Sequence, residues 1–216
     1  MYIGVHYSDE KDSDMNAMPI TPPTVQHRPP GLIDCAQITD TLIFPGQDRQ
    51  VVYDQVRGLL TAGHLHPSAR EERGKKAFLM APENMLIADV MLRMRDFGMR
   101  GADDAKADPY VAAGLSFRHW SGGKPGGAKS NPAAHVIAEY EMDVGGWVFE
   151  LWSFRHAKRD RVQFEGRIHH VTRRQATDLR RGADRNWMPC GCYAVDLTDA
   201  LDRWHPRGRE RREAMN

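Results

Sequence analysis

The sequence predicts an α+β chain, and three observations carry that expectation. Apolar residues recur at helical spacing from Leu32 to Leu60 and again from Met85 to Phe97. Between these stretches lies a polar segment bounded by Gly63, Pro67 and Gly74, which runs into the short apolar strand Ala77–Met80. From His135 onward the pattern switches to an alternation of apolar and polar residues, the period of a half-buried strand.

The 216 residues allow one large domain or two small ones with a real core. Hydrophobic residues make up 41% and charged residues 27%, and no run approaches the apolar length a bilayer demands. The N-terminus lacks the basic start, apolar stretch and small-residue cleavage site of a secretory signal, so a cytoplasmic location is expected. Three cysteines, Cys35, Cys190 and Cys192, are too few for a disulfide framework. With a formal net charge of +1, any nucleic-acid surface must come from local clustering of charge.

Residues 1–30 hold acidic residues and then Pro19, Pro22, Pro23, Pro29 and Pro30, and they read as an arm without sustained period. Ile3, Val5 and Tyr7 alternate and are compatible with a short strand. A first helix fits Leu32–Leu42 and is broken by Pro45–Gly46. A second fits Asp48–Leu60, with Asp48 as N-cap and Val51, Val52, Val56 and Leu59 or Leu60 facing inward. The segment Thr61–Met80 reads as a hairpin with a basic tip at Arg73-Gly74-Lys75-Lys76.

A third helix starts at Pro82–Glu83 and closes at Gly98, with Met85, Leu86, Val90, Leu92, Met94 and Phe97 supplying apolar surface. Met80, Met85, Met91, Met94 and Met99 are expected in the core. A linker region, 101–134, contains Tyr110–Trp120, which suits either a helix or a strand. His135–Met142 and Trp147–His156 read as strands joined at Gly145–Gly146, the second with Phe149, Leu151, Ser153 and Arg155 on one side. Val162–Val171 adds a third strand, Thr172–Arg181 has helix-forming composition, and Cys192–Leu197 is a short strand. Thr198 is expected to cap a last helix through Trp204.

Three pieces in the first half resemble the MerR-like winged-helix family. Val51-Val52-Tyr53-Asp54-Gln55-Val56-Arg57-Gly58-Leu59-Leu60 is similar to its recognition helix and Gly-Leu-Leu exit. Arg70 followed by Gly74-Lys75-Lys76-Ala77-Phe78 is similar to its basic wing. Pro82-Glu83 leading to Leu92-Arg93-Met94-Arg95-Asp96-Phe97-Gly98 is similar to the helix after the wing. The match covers about a third of the chain. The connection from Leu42 to Arg49 is long for a tight turn, the wing is longer than usual, and neither a long dimerising helix nor a cysteine cluster follows Gly98. The resemblance therefore implies a winged helix-turn-helix at 31–100 that binds double-stranded DNA, and carries over neither metal sensing nor promoter untwisting.

On that basis the reading residues are Arg49, Gln50, Tyr53 and Arg57. Gln and Arg side chains present the donors that match adenine and guanine edges, and Tyr53 suits phosphate or sugar. Asp54 on the same helix opposes phosphate. Arg70, Arg73, Lys75 and Lys76 would supply salt-sensitive backbone contacts from the wing, partly cancelled by Glu71 and Glu72; a solvated charged hairpin is the plainer reading. A second basic run, Arg155–Arg181, suits either a DNA-backbone surface or a sheet face paired with the acidic arm.

Cys190-Gly191-Cys192 has the residue types for a soft metal with His169 or His170, but one-residue spacing and the lack of a second pair favour buried structural cysteines. His64-Leu65-His66 reads as a surface strand, and Trp147, Phe149 and Trp152 as core. No phosphate-cradling loop or nucleophile elbow is present, so no enzyme activity, cofactor or metal is expected. The β-rich α+β segment 135–216 is expected to dimerise the chain or to sense an effector. The alternatives are an architectural or excision-directing DNA-binding factor of a mobile element, and a small-molecule- or partner-binding protein whose winged helix does not touch DNA.

Overall fold

The computed structural model describes residues 22–72, 76–120, 131–173 and 186–215. The chain is α+β. In order it forms β1 (Thr24–Val25), α1 (Cys35–Leu42), α2 (Arg49–Thr61), β2 (Pro67–Glu71), β3 (Phe78–Met80), α3 (Glu83–Asp96), α4 (Pro109–Arg118), α5 (Pro132–Glu141), β4 (Trp147–His156), β5 (Val162–His170), β6 (Trp187–Asp196), α6 (Leu197–Trp204) and α7 (Pro206–Met215). The first sheet has the order β1-β2-β3 and the second β5-β4-β6.

The helix ends follow from their caps. Asp34 and Gln37 form a reciprocal capping box at α1, with bonds of 2.9 and 3.1 Å. Asp48 caps α2 by accepting from the amides of Gln50 and Val51 at 2.7 and 3.2 Å. Gly63, at φ +75°, turns the chain out of α2, and Gly98, at φ +90°, ends α3; both sit in the left-handed region that disfavours side chains.

Several expectations are corrected. His135–Met142 is not a strand but most of α5, with Asn131 accepting from the Ala134 amide at 2.7 Å and Pro132 in the first turn. Val136 and Tyr140, four apart, share its buried face. The hairpin partner of β4 is therefore β5, with β6 on its other edge. Strand β4 alternates without interruption against β5, so Phe149, Leu151, Ser153 and Arg155 do share one side, with Arg155 exposed near the strand end. Phe154 is buried on the opposite side, with Glu150 and Trp152, and the extra residue of the β4–β6 register shift, Cys190, lies in β6. Tyr110–Trp120 is largely helical, as α4. Asp196, not Thr198, caps α6, accepting from Thr198 and Asp199 amides at 2.8 and 3.2 Å, and a further helix follows it. His64–His66 forms a turn, with Leu65 fully buried beneath it. Ile3, Val5 and Tyr7, and residues 174–181 of the expected Thr172–Arg181 helix, lie outside the described residues.

One apolar cluster runs from Cys35 on α1 to Trp204 on α6. Helix α3 is its axis: every residue from Asn84 to Met91 is buried. Met80, Met85, Met91 and Met94 are buried and Met99 packs against them. The second sheet joins through α4, where Phe117 stacks on Phe149 with centroids 5.2 Å apart.

Candidate nucleic-acid interface

Helices α1 and α2 pack through Ile38, Leu42, Val52 and Val56, all buried. Their connection turns at Gly46, φ +89°, and is tied by Gln47, whose side chain accepts from the Phe44 amide at 2.9 Å. Helix α2 then leads through the Gly63 turn into β2 and β3, and Ile33, just before α1, exchanges backbone hydrogen bonds of 2.9 and 2.7 Å with Met80 on β3. Helix, turn, helix and hairpin thus form one packed unit against α3.

The outer side of α2 carries the candidate readers. Arg57 is exposed, with no hydrogen bond to its guanidinium among the described residues. Gln50 is exposed and donates through Nε2 to Asp54 Oδ1 at 3.1 Å, so the Asp54 carboxylate is held by its neighbour one turn away. Arg49 is not free: its Nε donates to Asp40 Oδ1 on α1 at 2.6 Å. That bond raises the Arg49 pKa and holds the Asp40 carboxyl below its ordinary value. Tyr53 is half-buried against the core. Val51, expected to face inward, is instead 52% exposed.

In the hairpin, Arg70 is exposed and its guanidinium lies 5.1 Å from the centre of the Phe78 ring. Lys76 is exposed at φ +49°. Arg73 and Lys75 lie outside the described residues. Glu71 is engaged by Arg28 at 3.0 Å, and Arg28 also reaches Asp34 at 2.5 Å and Gln37 at 2.7 Å. The residue thereby clamps the segment before α1 to the hairpin and screens one of its two carboxylates.

Three contacts brace this unit from the rest of the chain. Arg118, at the end of α4, donates through Nη2 to the carbonyls of Gly63 and His64 at 3.1 and 2.9 Å. Asn84 of α3, buried, accepts from the His66 amide at 3.0 Å. Arg203 of α6 lies 4.0 Å over the Phe44 ring and pairs with Asp89 of α3, which Arg93 also approaches at 3.2 Å. Asp89 is fully buried; burial pushes its carboxyl pKa up, against the pull of Arg203 and Arg93. None of Arg28, Arg118 and Arg203 is distinguishable in the sequence from other surface arginines. The exposure of Val51 does follow from the α2 pattern, since it lies about 100° around the helix from Val52.

Elsewhere the expected groupings do not form. Cys190 and Cys192 are exposed on an edge strand, not buried. Cys192 pairs with Trp152 and His169 with Val148, four residues along β4, so they stand roughly 13 Å apart along the strand. His170 Nε2 lies 2.6 Å from the Gly145 carbonyl. Among the described residues no group of three metal-ligating side chains occurs, and no helix is long and apolar enough to cross a membrane. Trp147 and Phe149 are core residues, whereas Trp152 is half-buried and donates to Glu150 at 3.1 Å. In the second basic run Arg155, Lys158, Arg159 and Arg161 are exposed, Arg167 pairs with Glu165 at 2.7 Å, and Arg174, Arg180 and Arg181 lie outside the described residues.

Comparisons with family models, with curated proteins and with solved structures found no match.

Proposed function

We propose that the chain is a sequence-specific double-stranded DNA-binding regulator, reading the major groove with α2 and touching the backbone with the β2–β3 wing. The observation that carries this reading is the order and packing of α1, α2, β2, β3 and α3 around one core, with Gln50 and Arg57 left exposed on the outer side of α2. A helix presenting such donors fits the width and chemistry of the major groove. Arg70 and Lys76 supply positive charge beside it. Palindromic half-sites would require a homodimer, which belongs to the same proposal.

The test is selection from random duplex DNA at two salt concentrations, with wild type, Gln50→Ala/Arg57→Ala and Arg70→Ala/Lys76→Ala. A defined motif lost by the first variant is expected. The second variant should keep the motif and lower the dependence of log K on log salt by about one unit per cation removed. Absence of affinity at low salt overturns the reading.

A second reading, a chain that binds a small apolar molecule, draws on a groove of about 220 Å³ between α4 and β5 lined by Leu115, Trp120 and Phe164. Ligand affinity in that groove without DNA affinity would favour it.

A further inference from the structure

Val51 lies in the first turn of α2, where its amide is capped by Asp48 at 3.2 Å. Its neighbours Val52 and Val56 are 3% and 0% exposed, yet Val51 is 52% exposed. A β-branched residue lowers helix propensity, and here burial does little to offset that. Along the same ridge stand Asp54 and Gly58, three and seven residues on. A Cβ at Gly58 would meet nothing within 4 Å, so the ridge is low and open to close approach. The other exposed groups of α2 near it are polar, with Asp54 beside it and Gln50 and Arg57 about 100–120° around the helix from Val51. Val51 is the one large hydrophobic side chain exposed on α2, and it complements the apolar feature of the major groove, the C5 methyl of thymine.

We propose that Val51 is a specificity-determining residue that packs on a thymine methyl group. The proposal rests on α2 being the DNA-reading helix, and it adds to that reading the base that one position selects. Burial of about one methyl group is worth about fourfold in Kd.

The experiment uses the full chain and the duplex motif selected from random DNA. Each thymine of the motif is replaced in turn by deoxyuridine, which removes only the methyl, and Kd is measured for wild type and Val51→Ala. The expected result is about a fourfold loss at one thymine for wild type and none at that position for Val51→Ala. A thermal midpoint no lower than that of wild type establishes that the variant is folded, since the side chain is outside the core and alanine favours the helix. A motif without a methyl-sensitive thymine, or a penalty that persists in Val51→Ala, overturns the proposal and leaves α2 as a reader of other features. Failure to enrich any motif removes the DNA reading, and this proposal with it.

Discussion

The Arg118 guanidinium donates to the backbone carbonyl of His64 at 2.9 Å, joining the end of α4 to the turn between α2 and the β2–β3 hairpin. The same nitrogen serves Gly63 at 3.1 Å, so one side chain satisfies two carbonyls where α2 ends. Burial lowers the Arg118 pKa, the cost of holding a cation there. Arg118→Met should lose about 1–3 kcal/mol of stability, read as a fall in the urea midpoint at unchanged slope. An unaltered midpoint would mean that water replaces the guanidinium at no cost.

His64 and His66 make the same region sensitive to acid. Burial holds both imidazoles below their ordinary value of 6.5; Asp108 pulls His64 up, whereas Arg118 pushes both down and His64 adds to the effect on His66. The folded chain therefore favours the neutral rings. As pH falls past the ordinary value the unfolded chain takes up protons first, so stability is whole above that pH and declines below it toward the depressed folded values. His64 contributes up to about 1.4 kcal/mol per pH unit in that window, and the exposed His66 contributes less because water screens it. Thermal midpoints from about pH 7.5 to about pH 5 should fall, and His64→Asn should flatten the fall. An identical slope in the variant would assign the acid sensitivity to other groups.

Asp89 and Arg203 form an ion pair between α3 and α6, and the carboxylate has no exposure to water. Removing one member strands the other, which costs about 3–5 kcal/mol. Asp89→Asn should destabilise by that order. Asp89→Leu/Arg203→Met should cost less than the sum of the single changes, because the apolar pair leaves no stranded charge between those two positions. Additive losses in a double-mutant cycle would show that the two charges act independently.

Gly166 sits where β5 meets α4, and a Cβ there would lie 2.7 Å from the Ala112 carbonyl oxygen and 2.8 Å from Ser116 Oγ. Backbone is the closer obstacle, so α4 must shift to admit a methyl. Gly166→Ala should cost about 1–3 kcal/mol, measured by urea unfolding. Because α4 carries Arg118, the same change should loosen amide protection at Gly63 and His64. Unchanged exchange there would mean that α4 bends locally instead of moving as a body.

The helices at 49–61 and 83–96 were legible because their caps and their apolar spacing agree: Asp48 before Val52 and Val56, Pro82 before Met85, Gly98 after Met94; the helix expected from Leu32 starts only at Cys35, after its cap Asp34. The error at His135–Met142 has a specific source. Val136, Ala138 and Tyr140 satisfy alternation, but Val136 and Tyr140 also satisfy a spacing of four, and Asn131–Pro132 is a helix start that decides between them. Cys190 and Cys192 were misplaced because burial in a sheet depends on strand order, and the one sign of an edge within Met188–Cys192 is Pro189, which has no N–H to donate to a ladder. Phe154 and Glu150 are buried on the face of β4 opposite Phe149 and Leu151, so both faces of the strand carry buried residues and alternation alone does not say which side is covered. At the candidate interface the residue types on α2 were legible. The pairings that withdraw Arg49 to Asp40 and Glu71 to Arg28 were not, since they join residues from different elements.

Helix α3 buries eight successive residues, Asn84 to Met91. A helix packed on one side accepts change at two or three positions in each turn, leaving a stripe of sensitive sites. Here no such reprieve exists. A saturation library across the gene should register this stretch as an unbroken block of intolerance, wider than any other helical signal in the chain. Synonymous codons would be the main variation left to it.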